Sequence, residues 1–159
     1  MSDQAPSSKR TAVHTGGCQC GRIRYSLHTE PSHASICHCR MCQKAFGNYF
    51  APFATVKTAD LSWTTGTLAT FRSSDLVERG FCRDCGTPLS FRFTDRETIS
   101  VSVGSLDDPS RIKPAVNIGV EGRAHWLGEM LQSDGTTTEA RVPAERLAKL
   151  ASRQHRDGV

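Results

Sequence analysis

The chain has 159 residues, of which 37% are hydrophobic and 23% are charged, and its formal net charge is +4. We expect one globular domain with its own core, and not a nucleic-acid-binding protein, because the positive excess lies mainly at the chain ends without interleaved aromatics. No apolar run approaches a membrane span and the first 11 residues lack the apolar part of a signal peptide, so we expect a cytoplasmic protein without a membrane partner.

Most predicted elements are short strands. Residues 1–11 are small and polar and indicate a disordered tail. Residues 22–28 alternate apolar and polar side chains, which predicts a half-buried strand. Residues 43–46 favour a single helical turn that Gly47 stops.

The middle of the chain carries turn residues between short apolar runs. The six candidate strands there are 49–56, 61–64, 68–72, 77–81, 89–93 and 98–103. Their close spacing predicts an antiparallel β fold and not alternating strands and helices. Further along, 115–120 and 124–127 are candidate edge strands, and 143–153 is a candidate C-terminal helix. We therefore predict one domain over residues 12–140, followed by a helix and tail over 141–159.

The seven cysteines carry the chemical signal. They form three groups along the chain: Cys18 and Cys20, then Cys37, Cys39 and Cys42, then Cys82 and Cys85. Four thiolates complete a tetrahedral zinc shell, whereas three leave one coordination position open. Gly86 can adopt the positive φ that the turn after Cys85 needs. The odd number and the one-residue gaps argue against disulfides as the alternative.

The spacing alone does not decide which cysteines share a metal. The middle three lie close enough in sequence to bind one ion, which leaves the outer four for another. The three-cysteine site could instead be structural, with His38 or His125 as its fourth ligand. His38 lies between two ligating neighbours and is expected to point away from their metal, and His125 beside Trp126 is typical of a packed histidine.

Three ordered motifs support a family resemblance: GCQCGRIRY at 17–25, CHCRMCQK at 37–44 and FCRDCGTPL at 81–89. They resemble the glutathione-dependent formaldehyde-activating enzyme (GFA) family, which includes centromere protein V (CENP-V). The similarity extends over roughly residues 12–130, with 114–126 similar to a looser C-terminal pattern. It implies a mainly β fold of antiparallel sheets around zinc sites, related to the mammalian suppressor of secretion-like zinc proteins.

The resemblance also implies roles for the cysteines. Cys18, Cys20, Cys82 and Cys85 match the structural zinc ligands, and Cys37, Cys39 and Cys42 match the ligands of the catalytic zinc. The implied reaction is S-(hydroxymethyl)glutathione synthesis, a carbon–sulfur lyase activity, so the implied partners are a small thiol such as glutathione and an aldehyde. We expect two zinc ions per chain, the three-ligand ion being the more labile. Arg40 and Lys44 are candidates to offset the charge of that site or to attract a glutathione carboxylate.

A second hypothesis is a non-enzymatic zinc module that binds protein or nucleic acid. A CxxCG turn is also common in zinc ribbons. However, 61 residues separate Cys20 from Cys82, whereas the paired motifs of a ribbon are roughly 15–20 residues apart. The spacing therefore favours the enzyme.

Overall fold

The computed structural model describes residues 10–158, so residues 1–9 of the predicted tail lie outside the described residues. Ten strands and four short helices follow one another in this part of the chain. The strands are β1 (His14–Gly17), β2 (Arg24–Leu27), β3 (His33–Cys37), β4 (Ala51–Lys57), β5 (Leu61–Thr65), β6 (Ala69–Ser74), β7 (Val77–Phe81), β8 (Pro88–Phe93), β9 (Thr98–Ser102) and β10 (Val116–Ile118). The helices are α1 (Arg40–Phe46), α2 (Leu127–Gln132), α3 (Thr138–Arg141) and α4 (Ala144–Leu147). None of the helices in residues 10–158 is both long and apolar enough to span a bilayer.

The strands form two sheets that enclose the core. The smaller sheet has the order β1-β2-β5 and is antiparallel. Tyr25 and Leu27 alternate with polar residues on β2 and are 1% and 0% exposed, as the period of two in the sequence predicts. Leu89, Val56 and Val101 of the larger sheet belong to the same buried cluster. The mainly β fold class is therefore confirmed.

The larger sheet has seven strands in the order β10-β3-β4-β9-β8-β7-β6. Every pair is antiparallel except the one at its edge, where β10 runs parallel to β3. The chain that leaves β9 crosses the fold through 3-10 turns before it reaches this edge, and such a crossover allows parallel pairing. The sheet is thus antiparallel, as predicted, apart from this one parallel pair at its edge.

Several predicted elements differ from the structure at their ends or in type. The six central strands are confirmed with small shifts, but α1 is longer than one turn and β1 and β3 were not predicted. The edge strand predicted at 124–127 is wrong, because Leu127, Met130 and Leu131 follow the helical period and form α2. The predicted helix 143–153 forms only α4 and a 3-10 turn, since its apolar side is largely exposed, Leu150 by 56%.

A partly buried ion pair joins the smaller sheet to the chain after β9. Arg24 Nη1 donates to Asp107 Oδ1 at 2.8 Å, and Thr15 Oγ1 donates to Asp107 Oδ2 at 2.6 Å. Burial by itself raises the pKa of Asp107, but these hydrogen bonds and the Arg24 charge hold that pKa below its ordinary value of 3.8. The pair therefore stabilises the fold at every pH above 3.8, and the stabilisation is lost as the pH falls through the lowered pKa.

Asp107→Asn is expected to lower the free energy of unfolding by about 2 kcal/mol, because it leaves a partly buried guanidinium without its charged partner. The loss should be the same from about pH 5 to about pH 8, since Asp107 stays ionised in both states there. Urea unfolding with excess zinc measures it, and Asp95→Asn at an exposed turn is the control. A loss that changes with pH in this range would contradict the assigned pKa direction.

Candidate metal centres and the adjoining cavity

The first and last cysteine groups meet at one end of the core. Cys18 and Cys20 follow β1, and Cys82 and Cys85 follow β7. The Sγ atoms of Cys18 and Cys20 are 3.5 Å apart, those of Cys20 and Cys82 are 3.8 Å apart, and all four lie within 4.8 Å of one another. Zinc–sulfur bonds of about 2.3 Å in a tetrahedron place the sulfurs about 3.8 Å apart. The four thiols therefore fit a closed metal site.

Two tight turns bring these sulfurs together. The Gly86 amide donates to the Cys82 carbonyl at 2.9 Å, and Gly86 has φ +77°, the left-handed conformation that its position in the sequence suggests. In the other turn the Ile23 amide lies 3.3 Å from Cys18 Sγ. Burial raises the pKa of Cys85, but hydrogen bonding to Thr87 and to the neighbouring thiols lowers it to about 6. The group is thus ready to supply a thiolate.

The middle cysteines form the second group at the junction of β3 and α1. Cys37 ends β3, Cys39 precedes the first residue of α1, and Cys42 lies within its first turn. Their Sγ atoms lie within 4.8 Å of one another, and no other cysteine, histidine or carboxylate of residues 10–158 joins them. Three thiols held this closely fit one metal ion and leave a fourth coordination position free of protein ligands.

Neither histidine considered as a fourth ligand belongs to this group. The His38 ring is 2% exposed and its Nε2 lies 2.8 Å from Asn117 Oδ1, so it turns toward β10. His125 is exposed and lies on the loop before α2. The structure therefore does not bring either side chain to the three sulfurs.

The loop of the second group is held by the segment that follows β10. A Cβ on Gly119, which has φ +63°, would lie only 2.8 Å from the Cys39 amide nitrogen. Gln43 Nε2 donates to the His38 carbonyl at 2.9 Å and to the Gly122 carbonyl at 2.8 Å. These contacts fix the position of the loop and therefore that of its sulfurs.

The second group forms one end of a cavity of about 400 Å³ on one face of the larger sheet. Its wall includes three phenyl rings, four hydroxyls and four basic residues: Phe53, Phe91, Phe93, Ser35, Thr55, Thr98, Ser100, His33, Arg79, Arg92 and Arg96. No aspartate or glutamate is among the lining residues. The first group borders no part of this cavity. Only the three-cysteine group therefore combines an open coordination position with space for a small molecule.

Arg79 is the residue of this site that the sequence interpretation missed. It is 7% exposed, and its Nη2 lies 3.4 Å from Cys42 Sγ. Its Nε donates to Ser73 Oγ at 3.2 Å, and its guanidinium carbon lies 5.0 Å from the Phe91 ring centroid. The period of two places Arg79 on the same face of β7 as the buried Val77, which is the signal that could have identified it.

The two basic residues singled out from sequence lie elsewhere. Arg40 and Lys44 are exposed on α1, and neither lines the cavity. Arg40 Nη1 instead donates to Gln43 Oε1 at 3.2 Å. The positive charge next to the three sulfurs comes from β7.

The three thiols differ in how readily they ionise. Burial raises the pKa of Cys37 to about 12. Burial also raises the pKa of Cys42, and Arg79 only partly opposes this. Burial would also raise the pKa of Cys39. The backbone amides of Cys42 and Met41 at the start of α1 outweigh this effect and bring that pKa below its ordinary value. Without a metal, negative charge therefore collects first on Cys39.

These cysteines lie within a segment that matches a known family. A model of glutathione-dependent formaldehyde-activating enzymes matches residues 13–121, which include all seven cysteines. The chain belongs to this family. The resemblance seen in the three motifs is thus confirmed, and α2, α3 and α4 lie beyond the segment that the family model matches.

One curated protein and one solved structure are similar to this chain. A Schizosaccharomyces pombe protein named an uncharacterised lyase is 30% identical over 82 residues, which are 52% of this chain and 59% of that protein. The chain thus matches less than two thirds of that relative's length. The crystal structure of a Rhodobacter sphaeroides protein aligns with a TM-score of 0.53 and 24% identity over 65% of this chain and 98% of the other. That structure shows a shared fold.

Proposed function

We propose that the protein is a zinc-dependent carbon–sulfur lyase that adds a small thiol to an aldehyde and catalyses the reverse reaction. Cys18, Cys20, Cys82 and Cys85 would hold a structural zinc ion, and Cys37, Cys39 and Cys42 a catalytic one. The substrates expected from the family are glutathione and formaldehyde. The observation that carries the proposal is the three-cysteine group, which lies open to a cavity beside a buried guanidinium.

The donor set favours zinc at both groups. Thiolates are ligands that zinc prefers, and the spacing of the sulfurs suits a tetrahedral ion. Zinc bound by three cysteines would supply a position in which a substrate thiol loses its proton and is held as a thiolate. The S. pombe relative, which is named a lyase, is consistent with this chemistry.

The chain's own residues suit delivery of a thiolate better than activation of water. Three thiolates around a divalent ion would leave a net charge of −1, which would weaken the ion as a Lewis acid toward water. The Arg79 guanidinium, 3.4 Å from Cys42 Sγ, offsets that charge where the substrate sulfur would arrive. Phe53 and Phe91 line the same space and limit access of water.

The proposed reaction balances without a redox partner. The sulfur of the thiol forms a bond to the aldehyde carbon, and the carbonyl π electrons move to oxygen. That oxygen takes up the proton released by the thiol, which gives a hydroxymethyl thioether. The residues of the cavity therefore need only to orient the thiol and the aldehyde.

We also propose that the protein works in the cytoplasm. All seven cysteines are free thiols arranged in metal-binding groups. Such groups need a reducing compartment to remain available to a metal.

Metal analysis of protein purified under reducing conditions tests the proposal. We expect two zinc ions per chain, one of which a chelator removes readily, because three protein ligands hold an ion less firmly than four. Cobalt in that second site should change its absorption when glutathione is added, and the loaded protein should speed the loss of free formaldehyde. A single, tightly held zinc ion and no response to glutathione would contradict the proposal and favour a zinc module that binds a partner protein.

A further inference from the structure

The cavity beside the three-cysteine group carries positive charge that no nearby carboxylate neutralises. Its basic lining residues are His33, Arg79, Arg92 and Arg96. Arg92 Nε donates to Glu78 Oε1 at 2.9 Å, so the Arg92 charge is already balanced. Within residues 10–158, Arg79 and Arg96 form no ion pair with a carboxylate. Arg79 lies beside Cys42 Sγ, so Arg96 is the guanidinium group that remains to attract a further anion.

These two guanidinium groups lie at different depths in the cavity. Arg79 is next to Cys42 Sγ and stacks over Phe91. The Phe91 and Phe93 ring centroids are 5.1 Å apart, and the Arg96 guanidinium carbon lies 4.7 Å from the Phe93 centroid. Phe91 and Phe93 are successive residues on one face of β8, about 7 Å apart along the strand. Arg96 thus lies farther from the sulfurs than Arg79, at the other end of a phenyl wall.

The phenyl wall strengthens the effect of these charges. A guanidinium stacked on an aromatic ring is held in position by that ring, so less side-chain freedom is lost when it binds a carboxylate. Arg96 is itself exposed, so its guanidinium is accessible to such a group. An ammonium group beside Arg96 would instead meet a like charge.

We propose that the cavity selects thiols that carry a carboxylate at the end remote from sulfur, and that Arg96 binds this carboxylate. The substrate sulfur would face the three cysteines, its apolar body would contact Phe91 and Phe93, and thiols with an ammonium group in place of the carboxylate would be disfavoured. This inference rests on the proposed function, because it places the sulfur at the open metal position. It goes further in assigning the recognition of the remote carboxylate to one residue, Arg96.

Three thiols of equal length test this selection: ω-mercaptohexanoate, ω-mercaptohexanol and ω-aminohexanethiol. They share the apolar body, and their charged groups are too far from sulfur to alter its acidity much. Binding to the full chain with cobalt in the three-cysteine site is followed by the thiolate-to-cobalt absorption. We expect the acid to bind about tenfold more tightly than the alcohol, and the amine more weakly than both.

Two variants locate the selection. Arg96→Gln should bring the Kd of the acid to within about twofold of that of the alcohol. Arg72→Gln, an exposed arginine on the neighbouring β6 that does not line the cavity, should keep the tenfold preference. A preference for the acid that survives Arg96→Gln would overturn the assignment to Arg96.

The same titrations separate the two proposals. Equal affinities for all three thiols in the unmodified protein would overturn the charge selection and leave the thiol-binding function in place. If none of the thiols changes the cobalt absorption, the proposal that a thiol binds at the metal is wrong, and the proposed charge selection is then wrong as well.

Discussion

Cys82→Ser should lower the free energy of unfolding by about 5 kcal/mol or more, because loss of a structural zinc ion removes binding energy that holds the fold together. Cys82 is 1% exposed and belongs to the main core cluster. A domain of this size is stable by about 5–15 kcal/mol in total. We therefore expect a variant that is largely unfolded or that unfolds at low urea. Urea unfolding followed by circular dichroism, with zinc content measured on the same samples, tests this.

Cys42→Ser is the matched control for this prediction. It makes the same chemical change at a site of equal burial, since Cys42 is 3% exposed. If the three-cysteine group serves the reaction and not the fold, this variant should lose one zinc ion and its activity while its stability falls by only about 1–2 kcal/mol. Equal destabilisation by the two substitutions would mean that both groups are structural.

Arg79→Met should reduce kcat/KM for thiol–aldehyde addition about 30- to 160-fold, since it removes a charged hydrogen-bonding group worth about 2–3 kcal/mol beside the thiolates. The metal affinity of the three-cysteine site should fall about 10- to 100-fold, as is usual when a group that supports a ligand is lost. When both proteins lack metal, the Arg79→Met variant should instead be more stable than the unmodified protein. In the unmodified protein, the buried Arg79 guanidinium has only Ser73, Phe91 and the Cys42 sulfur as partners among residues 10–158.

These opposite changes distinguish electrostatic support from simple packing. Arg79→Lys keeps the charge but loses the planar group that stacks on Phe91, so it should recover part of the activity. Arg72→Met, on the exposed part of β6, should leave both activity and metal affinity unchanged. If Arg79→Met lowers the stability of the metal-free and the metal-bound protein alike, Arg79 is a packing residue and does not act on the thiolates.

The sequence predicted the two cysteine groups and the strands around them because these depend on local patterns. The CxC and CxxC spacings are set within a few residues, and the alternation in β2 directly reports which side chains are buried. Arg79 was missed since a charged residue at an inward position is normally taken for an exposed one. Its partner Cys42 is 37 residues away in sequence, and the contact arises only when β7 packs near α1.

The edge strand predicted at 115–120 is confirmed as β10, but its parallel pairing with β3 could not be predicted for a related reason. β10 has only three residues, all exposed, so its sequence has no alternation of buried and exposed positions to show how it pairs. Its position depends on contacts of the chain after β10, such as that of Gly119 with Cys39, which bring it against β3. Predicting the pairing of β10 would have required knowledge of the cysteine loop that β10 covers.

The position of β10 also has a consequence for how the chain acquires its metals during synthesis on the ribosome. All four outer cysteines have been made once residue 85 is added, whereas the segment that holds the cysteine loop follows Ile118. Domains generally begin to fold from the amino-terminal side as they emerge. The four-cysteine site can therefore fill before the segment after Ile118 holds the loop of the middle cysteines, and its early closure reduces the chance that one ion takes ligands from both groups.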